Sequence, residues 1–422
     1  MEGFSKLESR DRLAYAGVVA FAVALYSSIV NLFPFLGPLR PALTTAALAA
    51  MLVVFARVAR GMSFTWDGWR GLCLLSLGVW AMVSTSWSFN PQVSRGNGLE
   101  LLKLIAIYLT IVNLVNTPRR LAWIAFAAVL ASLAPSIGTV DYWRREVNLI
   151  DGYRAHWLGV YLDPNHLAMS LVAIVPVAFA FAISRDRASW MRVVGGLAGG
   201  LGIAAIILAH SRGGALGLAL ALGLWAVSGG RKLRSGLAAA VALLGIAVFA
   251  PRSFWSRTES ITEYGVDLSA QGRVWAWEVT AAINHDRPLT GVGAGAFVHA
   301  WPSYARGEAR TARFVAHNIF LAEIGELGFV GFFLFLSFVS GTLGGGVRAW
   351  KHPEVGALAR ALTAGFAGYI RCDMLSGYVL SAHFFFLTAL SAAADRIART
   401  APEEAAFLSS DASSRPSPSP IS

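Results

Sequence analysis

Cysteine and charge are both scarce in this chain. Two cysteines, Cys73 and Cys372, stand among 422 residues, each in or near an apolar segment. A disulfide framework is therefore not expected, and no cysteine metal site can be assembled. Asp, Glu, Lys and Arg make up 14% of the residues, against roughly 25% in an ordinary soluble chain. The chain has no HExxH motif, no Asp-x-Asp pair and no Walker loop. The usual signatures of a zinc hydrolase, a metal-dependent nucleotide-sugar transferase and a P-loop nucleotidase are thus missing. The glycine-rich run Gly291-Val292-Gly293-Ala294-Gly295 follows no predicted strand, so it does not read as a dinucleotide site.

Apolar sequence is abundant. Hydrophobic residues make up 56% and the mean hydropathy is +0.57. About 20 apolar residues in a helix cross the lipid core, and helices are the expected spanning form because backbone polar groups in lipid need partners within the segment. The sequence predicts an all-α, polytopic membrane protein of about twelve spans. They lie near 13–32, 39–56, 71–87, 99–115, 121–140, 167–184, 193–210, 213–228, 235–250, 318–343, 356–374 and 377–395. The charged N-terminal stretch before the first span resembles a signal sequence, but it reads as an uncleaved helix because similar helices follow. Gly195, Gly196, Gly199 and Gly200 offer close helix contact.

Positive charge orients the chain. With the N-terminus in the cytoplasm, the short connections carrying Arg57, Arg60 and Arg70, then Arg119 and Arg120, Arg185, Arg187 and Arg192, Arg231, Lys232 and Arg234, and Arg348 and Lys351 all face inward. This accounts for much of the net charge of +11, so nucleic acid is not an expected partner, and membrane lipid is. Both termini fall on the cytoplasmic side. The expected layout is helices 1–9 over residues 1–250 and a long outer loop over 251–317. Helices 10–12 follow over 318–397, and a disordered Ser/Pro-rich tail over 398–422. A loop as long as 251–317 is usually functional or has structure of its own, and Gly272–Asn284 within it looks helical.

Three predicted spans begin on the outer face with polar sequence: Asp163-Pro164-Asn165-His166, Ser211-Arg212-Gly213-Gly214 and Ala316-His317-Asn318. Helix N-termini present unpaired N–H groups and partial positive charge, which suits an oxyanion or phosphate. Simple capping also explains Asp163 before Pro164, and Ser211. Arg212 is not needed to start a helix, and Arg273 opens the helix-like stretch in the loop. The other loop arginines, among them Arg252, Arg257, Arg287, Arg306, Arg310 and Arg313, read as surface charge balanced by nearby acids. His317 is the candidate general base, because a helix N-terminus favours the neutral imidazole that can accept a proton. Glu100 and Lys103 share a helix face and form either a structural pair or part of a substrate path.

These pieces, in this order, resemble the O-antigen ligase family, whose signature is shared with O-antigen polymerases and bacterial O-oligosaccharyltransferases. The residues that carry the resemblance begin with Asp163-Pro164-Asn165 and His210-Ser211-Arg212-Gly213-Gly214. Gly272-Arg273 with Trp277, Pro288 and Gly291-Val292-Gly293 come next. His317-Asn318 running into Glu323-Ile324-Gly325-Glu326-Leu327-Gly328-Phe329-Val330-Gly331 completes the set. The resemblance implies a membrane glycosyltransferase similar to the GT-C group in a Gram-negative inner membrane, with a periplasmic site. It would transfer a glycan from undecaprenyl diphosphate to a sugar of lipid A core, by inversion, without metal or cofactor. It implies Arg212 and Arg273 on the diphosphate and His317 as base, with Asp163, Asn165, Ser211 and Asn318 lining the substrate site. The short end after the last span points to a ligase rather than a protein-directed transferase. A polymerase using the same donor is the rival within the superfamily. A transporter is the rival outside it, and the lack of an internal repeat argues against it.

Overall fold

Among the described residues, five helices begin at a side chain that caps them: Asn90, Thr117, Asp163, Ser211 and Asn318. The computed structural model describes residues 2–59, 61, 63–229, 268–377 and 380–413. Among them regular structure is helical, with one isolated antiparallel bridge between Ile150 and Arg154. The helices are α1 (Glu2–Ser27), α2 (Ile29–Leu32), α3 (Pro41–Ala59), α4 (Gly68–Val83), α5 (Pro91–Leu114), α6 (Pro118–Ala131), α7 (Leu133–Arg144), α8 (Pro164–Ile183), α9 (Ser189–Leu208) and α10 (Arg212–Ser228). After the undescribed stretch come α11 (Leu268–Asp286), α12 (Phe297–Tyr304), α13 (Ile319–Ala349), α14 (Gly356–Asp373) and α15 (Ala382–Ser413). Proline at the first turn of α5, α6 and α8 follows a capping Asn90, Thr117 and Asp163, whose side chains accept backbone N–H bonds.

Six described stretches are long and apolar enough to cross a membrane: Pro34–Ala59, Pro91–Leu114, Pro118–Arg144, Pro164–Ile183, Ser189–Leu208 and Ile319–Ala349. The chain is thus a multi-pass membrane protein by helix length and composition. The expected span at 235–250 lies outside the described residues, as do Arg252, Arg257 and the tail from 414. Other expected spans fall short for local reasons. Left-handed Ser28 (φ 49°) breaks the first, α4 has 16 residues and α10 has 17. Arg360, Arg371 and Asp373 charge α14, while Asp395, Arg396 and Arg399 charge α15. The last helix continues past residue 397 to Ser413.

α8 is the buried centre, packed by α9, α10 and α14. Small residues set these contacts. A methyl group on Gly195 would stand 2.5 Å from the Ala178 carbonyl, and one on Gly199 2.7 Å from the Phe179 ring. Gly196 and Gly200 meet nothing within 4 Å, so only one pair of the expected four makes the contact.

The far end of α13 from His317 holds a buried ionic knot. Arg70 bonds Asp67 at 2.7 Å and Asp395 at 2.9 Å, and Tyr108 donates to Asp67. Arg348 and Arg399 also reach Asp395, each at 3.0 Å. Asp395 is fully buried and Arg70 is 1% exposed. Breaking one partner of a buried pair strands the other charge, at about 3–5 kcal/mol. Asp395→Asn is therefore expected to lower the melting temperature in detergent markedly. Arg399→Gln removes a half-exposed partner and is expected to cost at most about 1 kcal/mol. Equal melting temperatures for the two variants would refute this assignment.

α13 is kinked at Gly328 (φ 65°, ψ −168°), and the kink is a docking site. Phe329 N donates to Pro288 O at 2.7 Å, Val292 N to Gly325 O at 3.0 Å, and Gly293 N to Glu326 O at 2.8 Å. The Glu326 carboxylate accepts Gly295 N–H at 2.5 Å. Backbone groups released by the kink are thus satisfied by the 288–295 turn. A side chain at Gly328 would strike Leu289, in a conformation suited to glycine. Residues 276–316 carry a separate apolar core around Val279, Ile283, Phe297 and Trp301, which joins α13 through Ala322.

Candidate active site

The starts of α8, α10 and α13 meet the second turn of α11 and the end of α14 at one corner. Asp163 caps α8 by accepting Asn165 N–H at 2.7 Å, and Ser211 caps α10 by accepting Gly214 N–H at 3.1 Å. Capping is therefore present at both. The same side chains do more, because Ser211 Oγ donates to Asn165 Oδ1 at 2.9 Å and locks the two helix starts together. Arg154 Nη2 donates to that Oδ1 at 3.3 Å, while its Nε reaches Ala209 O at 3.3 Å. Arg154 is 8% exposed, and its sequence context gave no hint of this. It lies in an irregular stretch, so no helical or strand period marks it.

α13 starts the same way. Asn318 Oδ1 accepts Phe320 N–H at 2.9 Å. The residue before it, His317, is left-handed at φ 51°. Gly377, after α14, packs on the His317-Asn318 backbone so closely that a methyl group there would lie 3.1 Å from Asn318 N. Gly213, next to Arg212, packs against Cys372 and Leu375 of the same corner. Gly272 faces the Phe314 ring, and that ring lies 6.3 Å from the His317 imidazole. Arg273 is thereby brought to His317. Arg212 is the first residue of α10 and is half-buried.

The electrostatics at His317 follow from these neighbours. Burial, and then the Arg273 guanidinium, hold the imidazole below the usual histidine range, while Asp163 opposes them. His317 is therefore neutral at pH 7 and able to accept a proton. The direction is the one expected for a helix start, and burial and the neighbouring Arg273 cation contribute to it.

All seven expected site residues fall at this corner. Residues 197–336 match the O-antigen ligase family. The O-antigen ligase match runs from α9 into α13. It contains Ser211, Arg212, Arg273, His317 and Asn318, whereas Asp163 and Asn165 precede it. No curated protein matches the chain.

Other candidates lie apart from the corner or are engaged structurally. Glu100 and Lys103 bond at 2.8 Å with both side chains about half exposed, which is a surface pair. Arg287 packs over the Phe89 ring at 4.9 Å, and Arg310 bonds Ala305 O. His210 is buried on Tyr153 and bonded to Leu208 O. Among the described residues no three His, Cys, Asp or Glu side chains group as metal ligands.

Beside the corner a cavity of about 340 Å³ opens between α5, α13 and the segment after α14. Ala316 and Gly377, which flank His317, form one wall, and Glu323 and Glu326 line it from α13.

Proposed function

We propose that this chain is an O-antigen ligase of the Gram-negative inner membrane, working at the periplasmic face. It would transfer glycan from undecaprenyl diphosphate to a sugar of lipid A core. The observation that carries the reading is the O-antigen ligase match over residues 197–336, with half-buried His317 placed at a helix start beside the Gly272-Arg273 turn and the linked starts of α8 and α10. In the proposed step the acceptor hydroxyl oxygen attacks the anomeric carbon. Its proton passes to the His317 imidazole, the new C–O bond forms with inversion, and the bond to the diphosphate breaks. The electron pair leaves on the phosphate oxygen. Arg273 and Arg212 bind that oxyanion, and the start of α10 adds its N–H groups. Ser211, Asn165 and Arg154 hold the two helix starts in register, and Asn318 orients the His317 turn.

Purified protein supplied with carrier-linked glycan and lipid A core tests this directly. Lipid A-linked glycan is the expected product. Longer carrier-linked glycan instead would identify a polymerase, and glycan on protein an O-oligosaccharyltransferase.

The pH dependence of transfer gives a second test. A base works above its pKa, so activity is retained at high pH and lost as pH falls through the His317 pKa, which lies below the usual histidine range. Asp163 favours the imidazolium. Asp163→Asn keeps an N-cap but removes the carboxylate charge, so the acid limb is expected to move to lower pH. An unmoved or raised acid limb in Asp163→Asn would separate Asp163 from the base.

A further inference from the structure

α13 carries two carboxyl groups three residues apart toward the cavity beside His317, and they are treated differently by the fold. Glu326 accepts the Gly295 N–H and anchors the 288–295 turn. Glu323 is 3% exposed, and its Oε2 has no hydrogen-bond partner. Burying a carboxyl group without partners is costly, so such an orphan is rare unless something else supplies the bond. Oε2 belongs to a residue that lines a cavity of about 340 Å³, a volume within the roughly 300–1,000 Å³ range of small-ligand sites.

The remaining lining narrows the chemistry. Phe297, Leu101 and Leu327 supply apolar surface, while Asn97, His166 and Ser381 supply hydrogen-bonding groups. None of the lining residues is Lys or Arg, so the cavity does not suit a phosphate. A pyranose ring fits: its C–H faces lie on aromatic and aliphatic walls, and its hydroxyls donate to carboxyl and amide oxygens. The position fits as well, since Ala316 and Gly377 join this cavity to the His317 turn.

We infer that this cavity is a sugar subsite in which Glu323 accepts a hydrogen bond from a ring hydroxyl of the transferring pair. The inference rests on the glycosyl-transfer reading above. The ring belongs either to the acceptor core or to the carrier-linked end of the donor glycan, and both present the same hydroxyl chemistry. Glu323 is a positioning residue, and the proton of the reacting hydroxyl goes to His317.

The test compares Glu323→Leu and Glu323→Gln with wild type in detergent, with KM measured separately for lipid A core and for carrier-linked glycan. Glu323→Leu is expected to raise one KM by about tenfold, as loss of a buried hydrogen bond does. Glu323→Gln retains most of the affinity, and the acid limb of the pH profile stays where it is. A raised acceptor KM assigns the subsite to the core sugar, and a raised donor KM assigns it to the glycan. Both KM values within twofold of wild type in Glu323→Leu would overturn the inference. Binding is also read without turnover, as the rise in melting temperature produced by delipidated core oligosaccharide or by carrier-linked glycan. If wild type transfers nothing to lipid A core, the ligase reading fails. Glu323 still stands where one of these probes stabilises wild type and Glu323→Gln but not Glu323→Leu, and it falls where neither probe stabilises wild type.

Discussion

His317→Asn is expected to lower the turnover of glycan transfer by roughly 10²–10⁴-fold with little change in either KM, the loss typical of a missing general base. Asparagine is the informative replacement. Residue 317 sits at φ 51°, where an ordinary L-residue costs roughly 1–2 kcal/mol but asparagine is tolerated. His317→Ala combines loss of the base with that backbone cost, so its melting temperature is expected to fall further than that of His317→Asn. The two variants should share the same defect in transfer, measured at matched protein levels in membranes. Carrier-linked glycan should accumulate at normal length in both. Half of wild-type turnover in His317→Asn would remove the imidazole from the reaction.

Arg273→Ala is expected to cost roughly 10²–10³-fold in turnover, the scale seen when one group stabilising a developing oxyanion is removed. Arg212→Ala belongs to the same class. Lysine at either position keeps the charge but loses the planar fork, so an intermediate rate is expected. Arg273 has a second signature that Arg212 does not share on the present geometry. Its charge disfavours the His317 imidazolium, so its removal raises the His317 pKa and moves the acid limb of transfer to higher pH. That shift is opposite in sign to the one expected for Asp163→Asn. A pH profile in Arg273→Ala superimposable on wild type would separate the two groups. Turnover within fivefold of wild type would dismiss Arg273 from the diphosphate.

The local features of the site were legible in the residues themselves. Asp163 before Pro164 and Ser211 before Arg212 read as capping patterns, and each caps the helix it begins; Asn318, read only as a polar residue at a helix entry, caps α13 as well. The helical stretch at Gly272–Asn284 was legible for a similar reason, since helical period is a short-range property. The glycine contacts were legible only in part. Gly195 and Gly199 meet α8 whereas Gly196 and Gly200 do not, because which face of α9 turns inward depends on its neighbours. The count of spans was obscured where charge or a left-handed residue interrupts an apolar run, as at Ser28 and along α14 and α15.

By itself, the sequence determined that this chain is helical and multi-pass, where many of its helices start, and which polar residues stand at those starts. Apolar length and capping chemistry act within a few residues, so they need no partner to be read. Tertiary structure alone decided what those residues face. It brought Arg273 to His317 through the packing of Gly272 on Phe314, set Arg154 on Asn165, and docked the 288–295 turn into the Gly328 kink. It also separated two carboxyl groups that look alike in sequence, giving Glu326 a backbone N–H and leaving Glu323 Oε2 without one. Burial and electrostatic environment are set by atoms distant along the chain, and only the packed helices bring those atoms together.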